Sequence, residues 1–345
     1  VKGAFFYFLY GTGGIMTSRN QEIRLALPSK GPLAEPTLEL LDQAGLRVYH
    51  PNPRQYEATI PNLPGVNVLF QRPGDVVVSV RDGTVDFGIT GGDVLAEKRG
   101  PDGSILVIHP ALGFGQCTLN IIVPEAWVEV NTITDLKDLQ GQWDRPLRVA
   151  TKFPLQAEAF FHRHGFKSVE FISAEGTLEI APTIGYADLI TDLVSTGTTL
   201  RDNRLKKLED GQILASQGCL IANRHCLKKN PAALEIARTL LEFIVAHLRA
   251  KDNVSIFANM RGDSPEIIAR RMFDQKVIRG LQGPTMSPVI THQGTKWYAA
   301  HLVVRKDQLA QAIREIRAVG GSGVVVSPVS YIFEEEPVEY QNMVK

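Results

Sequence analysis

From Ile23 onward the chain repeats one unit, a short apolar β-rich run, a small polar turn and a helical pattern, and that recurrence restricts the fold more than any other feature. IRLALPSKG leads into LAEPTLELLDQAGL, where Leu38, Leu41 and Leu46 follow helical spacing and Gly45 suits a helix C-terminus. VDFGITGGDVLAEKR, LRVATKFPLQAEAFFHRHGF and ADLITDLVSTGTTLRDNRL repeat the scheme. Alternation of this kind predicts an α/β fold with parallel strands, because right-handed crossovers lay helices over the sheet faces. Ligands of such sheets bind beyond the carboxyl ends of the strands. The four turns at Ser29 and Lys30, at Thr90 to Gly92, at Thr151 and Lys152, and at Ser195 to Thr199 all fall there and are expected to face one cleft.

Two extended apolar passages, ALGFGQCTLNIIVPEAW and QILASQGCLIANRHCL, interrupt the units. Read as paired crossings, they divide the chain into a hinged bilobal body: lobe I from residues 17–115 plus 213–250 and lobe II from 116–212. A single sheet with both passages as central strands is the alternative. The segment PAALEIARTLLEFIVAHLRAK has Pro231 at its start and one apolar face, and is predicted helical. Beyond it, residues 254–345 read as strand, helix, strand, strand, helix, strand, a ferredoxin-like βαββαβ unit with few catalytic groups, suited to regulation or assembly. Residues 1–16, with the cluster AFFYFLY before Met16, are set apart as an extension outside the fold; a signal peptide would want a longer apolar stretch and a clear cleavage site.

The balance of 37 basic and 37 acidic residues, without a basic block, argues against nucleic acid, and the absence of 18 consecutive apolar residues argues against a membrane span. Cys117, Cys219 and Cys226 contain no CxxC pair, which favours neither a zinc site nor a disulfide framework and fits a reducing cytoplasm.

The chemistry concentrates in residues 175–201, where acids precede a hydroxyl-rich turn that opens a helix. Ser195, Thr196, Gly197, Thr198 and Thr199 present hydroxyls and a relaxed backbone, and the unpaired N–H groups of the next turn favour a phosphate. Asp188 and Asp192, on the strand feeding the loop, are suited to ribose hydroxyls or Mg²⁺. The plainer reading makes Asp192 a helix cap and STGTT an ordinary turn. His162 and His164 point to different helix faces, His109 reads as a buried imidazole, and Cys117 reads as a packing residue. Arg72 suits either a phosphate or a pair with Asp75.

Taken together, LALPSKGPLAEPTLELL, RPGDV, DFGITGGDVL, LGFGQCTL, RVATKFP, EGTLEIAPTIGYADLITDLVSTGTTLR and SPVITHQGTKWYAAHLVV resemble the long form of ATP phosphoribosyltransferase over nearly the entire chain. The resemblance implies a periplasmic-binding-protein-like catalytic core, an ACT-like C-terminal domain and a Mg²⁺-assisted reaction. That reaction joins ATP and phosphoribosyl pyrophosphate into N1-(phosphoribosyl)-ATP and pyrophosphate, the first step of histidine biosynthesis. It also implies inhibition by histidine and assembly of dimers into hexamers. Carried onto this sequence, the phosphoribosyl pyrophosphate loop falls on Asp192 and Ser195 to Thr199, with Asp188 and Asp192 as catalytic and metal-binding carboxylates. ATP binding falls on Lys30, Gly31, Arg72, Thr90, Gly91 and Lys152. The family's PNKGRL-type turn is PSKGPL here, so Ser29 and Pro32 depart from it. Where the family often has Arg, this chain has Thr198, and Arg72, Lys152 and Arg201 are the nearest cations. The histidine site falls on Asp263, Leu281, Gly283 and Thr285. A bilobal small-molecule sensor, or a transferase acting on another base, would share the hinge and cleft.

Overall fold

The computed structural model describes residues 22–344, apart from 53, 174, 175, 196, 282 and 291–295. The extension 1–16 and Thr196 therefore lie outside the described residues. Lobe I begins with β1 (Ile23–Pro28), α1 (Ala34–Gln43), β2 (Glu57–Thr59), β3 (Val66–Gln71), α2 (Pro73–Arg81), β4 (Phe87–Gly91), α3 (Gly92–Lys98) and β5 (Ile105–His109). Lobe II follows with β6 (Cys117–Pro124), α4 (Ile133–Gln140), β7 (Leu147–Thr151), α5 (Pro154–Arg163), β8 (Val169–Ser173), a 3₁₀ turn at Leu178–Ile180, β9 (Leu189–Val194), α6 (Thr198–Asp202) and β10 (Leu205–Ser216). The chain then re-enters lobe I as β11 (Gly218–Asn223), α7 (Arg224–Lys229) and the long α8 (Pro231–Lys251).

The two lobes have separate sheets, ordered β2-β3-β1-β4-β11-β5 and β10-β6-β9-β7-β8, so the single-sheet alternative does not hold. Parallel pairing covers the repeating units, β3-β1-β4 in lobe I and β8-β7-β9 in lobe II. The edge strand β2 and the crossing strands β6, β10 and β11 are the exceptions, running antiparallel to their neighbours. The return crossing also lies later than residue 213, because β10 stays paired with β6 as far as Ser216 opposite Cys117. The two crossings hold each other, Gly218 N donating to Phe114 O at 2.9 Å and Leu112 N to Gly218 O at 2.9 Å. A Cβ on Gly218 would lie 2.8 Å from the Phe114 ring, so the close approach needs glycine there.

Each sheet is covered on both faces. In lobe I, Leu25, Leu27, Phe87 and Ile89 pack against α1 and α8, while Ala26, Ile221, Val76, Val77 and Val80 fill the opposite side. On α1 the buried residues are Thr37, Leu40 and Leu41, whereas Leu38 is turned outward. Gly45 follows the helix with φ +74, the left-handed conformation that a C-terminal glycine supplies. Pro231 opens α8 and Asn230 caps it, its side-chain oxygen accepting from Ala232 N at 3.0 Å.

The C-terminal unit comprises β12 (Asn253–Arg261), α9 (Pro265–Phe273), β13 (Thr285–Val289), β14 (Trp297–Arg305), α10 (Leu309–Ala318) and β15 (Gly321–Pro328). Its antiparallel order β13-β14-β12-β15 is ferredoxin-like, with a core including Ile256, Ile268, Leu302 and Ile316. This unit ends before residue 345, because the chain turns back after β15 and lies on lobe I. Tyr331 Oη donates to Gln43 O at 3.1 Å, Ile332 N donates to Ala246 O at 3.0 Å, and Tyr331 and Phe333 pack around Phe243. Arg249 pairs with Glu334, and the last helix, α11 (Val338–Val344), sits against α8 and β5. Ending the chain at residue 330 uncovers this aromatic surface. A loss of about 2 kcal/mol, read as a melting midpoint lower by roughly 5 °C in calorimetry, is expected.

Candidate functional site

Lobe I and lobe II border an open cavity of about 510 Å³ at the carboxyl edges of their parallel strands. Gly74 after β3 and Val94, Glu97 and Lys98 of α3 line it from lobe I; Lys152 and Phe153 after β7 and Ser173 at the end of β8 line it from lobe II. Two ammonium groups thus face one space. Lys98 is drawn in because Gly74 has no side chain: a Cβ there would stand 2.7 Å from its Nζ. Lys30 and Gly31 are exposed after β1 and do not line this cavity, although Ser29 N donates to Gln71 O at 2.7 Å and holds that turn beside the approach to Arg72. Arg72 is exposed at the start of α2 and makes no ion pair with Asp75. Thr90 is wholly buried, its hydroxyl donating to Pro73 O at 3.1 Å, and Gly91 is buried beside Leu33. Neither residue lines this cavity, and the Thr90 hydroxyl proton is engaged by Pro73 O.

The pairing of Asp188 with Asp192 does not survive in three dimensions. Asp188 precedes β9, at its amino end, and four residues of extended chain carry Asp192 about 13 Å further. Asp188 belongs instead to a guanidinium clamp. Arg145 Nη1 and Nη2 donate to its two oxygens at 2.6 and 2.9 Å, Arg148 Nη2 at 2.9 Å, and Arg148 N at 2.9 Å. Burial pushes its carboxyl upward, but these donors outweigh that and hold it down at about 2. It therefore ties β7 to β9 at the edge away from the cleft, with both carboxylate oxygens taken up by these four donors.

Asp192 is in the opposite condition. It is half-buried inside β9, near its carboxyl end, and caps no helix. Burial raises its carboxyl above the usual range; Leu193 N, at 2.8 Å from Oδ1, and the charge of Lys152 pull it down, while Glu179 pushes it up. Glu179, on the 3₁₀ turn, is therefore close enough for the two carboxylates to repel. It was absent from the residues singled out in the sequence, and its signal was only an acid within EGTLEIAP. Beyond Asp192, Ser195 is exposed and Gly197 takes φ +75, the left-handed geometry that turns the loop into α6, where Thr198 and Thr199 open the helix. Arg201, on α6, is exposed.

Asp192 and Glu179 are two carboxylates that act on each other electrostatically near the carboxyl end of β9. Among the described residues no group of three or more His, Cys, Asp or Glu gathers as a metal site. Two carboxylates fit a Mg²⁺ ion that completes its shell with substrate phosphates and water. His109 is buried at the end of β5, where burial lowers its imidazole while Glu339, 3.8 Å away, opposes that. The His164 ring lies tilted against Phe160, with centroids 4.2 Å apart. In the C-terminal unit, Asp263 precedes α9 and pairs with Lys296 at 3.5 Å, whereas Gly283 meets Phe273 at the far end of that helix, about 13 Å along it. Within one chain, Asp263 does not converge with Leu281, Gly283 and Thr285.

A hinged pair of α/β lobes, with cations and carboxylates at the facing strand tips, defines a binder of anionic, phosphate-bearing ligands. The profile described as ATP phosphoribosyltransferase matches residues 72–246, and that of the HisG C-terminal domain matches residues 250–331. ATP phosphoribosyltransferase 2, chloroplastic, of Arabidopsis thaliana is 43% identical over 96% of this chain and 82% of its own length. The Methanocaldococcus jannaschii ATP phosphoribosyltransferase is 34% identical over 90% of this chain and 99% of its own. A solved Thermotoga maritima ATP phosphoribosyl transferase (HisG:HisZ) complex overlays with a TM-score of 0.51 at 24% identity, covering 65% of this chain and 98% of the matched one, a likeness of fold. The chain belongs to the ATP phosphoribosyltransferase family, transferases of histidine biosynthesis. No helix among the described residues is long and apolar enough to cross a membrane.

The Asp188 clamp generates a test of its own. Asp188→Asn, which keeps the shape and removes the charge, is expected to cost about 2 kcal/mol near neutral pH. The folded carboxyl, at about 2, lies below its ordinary 3.8, so this stabilisation is complete above about pH 4 and disappears as pH falls through 2. Denaturant unfolding of both proteins at pH 7 and pH 2 checks it: the gap should be present at the first and closed at the second.

Proposed function

We propose that the interlobe cleft transfers a phosphoribosyl group from phosphoribosyl pyrophosphate to N1 of ATP, releasing pyrophosphate. The observation that carries this reading is Asp192, a carboxylate raised by burial at the tip of β9, within the field of Lys152 and Glu179 and beside the 195–199 loop. As the C1–O bond of the ribose breaks, the electron pair leaves with pyrophosphate and positive charge develops at C1; the lone pair of adenine N1 then forms the new C–N bond. Asp192 would hold a ribose hydroxyl and stabilise that positive charge at short range, without reorganisation. Lys152 and Lys98 would neutralise polyphosphate from the two sides of the cavity. The hydroxyls and amides of Ser195 to Thr199 suit the 5′-phosphate, and Lys30, Gly31 and Arg72, exposed on the lobe I edge, suit the ATP phosphates. Asp192 and Glu179 would hold Mg²⁺ together with pyrophosphate oxygens, and the ion, when bound, supplies charge neutralisation to the leaving group. Adenine N1 is a neutral nucleophile and needs no strong base. Bringing two substrates together in a closed cleft can itself supply about 7 to 11 kcal/mol in well-oriented systems.

For the C-terminal unit, the same reading assigns histidine inhibition through Leu281 to Thr285 and assembly into dimers and hexamers. A reducing, cytoplasm-like compartment suits the free Cys117, Cys219 and Cys226 of the two lobes.

Pyrophosphate release on mixing the protein with ATP, phosphoribosyl pyrophosphate and Mg²⁺, slowed by added histidine, is the expected outcome; a small-molecule sensor would release none. Asp192→Asn should lower turnover by about 100-fold while leaving the melting midpoint unchanged or slightly higher, because it removes a poorly solvated charge. Since the ionised carboxylate is required and its titration is raised, the wild-type rate should fall on acidification above the ordinary carboxylate range. Rate profiles between pH 4 and 8 would show that limb in the wild type and its loss in Asp192→Asn.

A further inference from the structure

Helix α3 belongs to lobe I, yet it makes polar contacts to lobe II near both of its ends. At its start Asp93 N donates to Ser216 Oγ at 2.8 Å, and that hydroxyl donates to Asp93 Oδ1 at 2.6 Å, next to the return crossing. Near its end Glu97 reaches the first turn of α5. Its Oε1 accepts from Leu155 N at 2.9 Å and its Oε2 from Gln156 N at 3.1 Å, while Gln156 Nε2 returns a bond to Ala96 O at 2.8 Å. Glu97 is only 9% exposed. The first amides of α5 have no partner inside their own helix, and a buried carboxylate from the other lobe satisfies two of them with favourable charge.

The position of this contact gives it consequence. Lys98 adjoins Glu97, and Lys152 lies just before α5, so the residues that join the lobes are neighbours of the two cations that face each other across the cavity. We propose that Glu97 is a positioning residue: it latches α5 of lobe II to α3 of lobe I and thereby sets the spacing of the phosphate-binding groups before substrates arrive. This inference rests on the phosphoribosyl-transfer reading for its kinetic consequences, and on the interlobe hydrogen bonds alone for its structural ones. A cleft that must close unaided binds its ligands more weakly by the fraction of time it is closed, whereas a cleft filled by substrates is already closed. Loss of the latch therefore acts on affinity and spares the saturated rate.

The experiment compares full-length wild type, Glu97→Ala, Glu97→Gln and Gln156→Ala. In Glu97→Ala, KM for ATP and for phosphoribosyl pyrophosphate should rise about tenfold with kcat held within about twofold. Glu97→Gln, whose single carbonyl oxygen can accept from one amide, should fall between Ala and wild type. Without substrates, hydrogen exchange of residues 152–157 should speed up in Glu97→Ala while the remainder of α5 stays protected. Unchanged KM in a folded Glu97→Ala protein overturns the proposal, and so does a fall in kcat at constant KM, which would put Glu97 in the chemistry. Should Glu97→Ala fail to fold, Gln156→Ala decides, with KM expected to rise about threefold and an unchanged value counting against the latch. If the wild type released no pyrophosphate, the functional reading would fail, whereas the substrate-free exchange would still pass or reject the latch by itself.

Discussion

Two antiparallel crossings, hydrogen-bonded to each other where Phe114 and Leu112 meet Gly218, set the relation of every other part. Because β6 leaves lobe I and β10 returns beside it, the carboxyl edges of two parallel strand sets are turned toward one another across a double-stranded hinge. A single connection would leave those edges free to swivel. A pair holds the two edges in register with one another. Gly92 N donating to Gln217 O, and Asp93 bound to Ser216, add contacts at the same place, so α3 is anchored at the hinge before it passes along the cleft.

Electrostatics then separates residues that share a chemistry in the sequence. Asp188 and Asp192 are the same side chain on the same strand run, yet one meets two guanidinium groups and a backbone amide while the other meets burial and a second carboxylate. The first is held ionised and works as a tie between strands. The second is raised above its ordinary range by burial, with Glu179 adding to the rise and Lys152 opposing it. Arg145 strengthens the tie by lying over the Trp143 ring at 4.4 Å, which fixes its orientation toward Asp188.

Much of the architecture was readable because period and turn chemistry report local conformation. The repeating units, the helix beginning at Pro231 and the βαββαβ order all appear where apolar spacing places them. The antiparallel sense of β11 was not readable, since an apolar run has the same composition in either direction. Nor was the return of residues 331–344 to lobe I, because Tyr331 and Phe333 carry no mark of which aromatic surface they will cover. Within the site, Asp192 and the hydroxyl-rich loop stood out by their order in the chain. Glu179 and Glu97 did not, for their partners are brought near only by folding.

The amino-acid sequence by itself determined the alternation of strands and helices, the division into two lobes with a ferredoxin-like appendage, and the family, because each follows from short-range patterns or from strings of residues. Tertiary structure alone decided that Arg145 and Arg148 claim Asp188 while burial raises Asp192, and that Glu97 spans the lobes. Charge–charge and hydrogen-bond energies depend on distance and burial through space, and neither quantity is written in the order of residues along the chain.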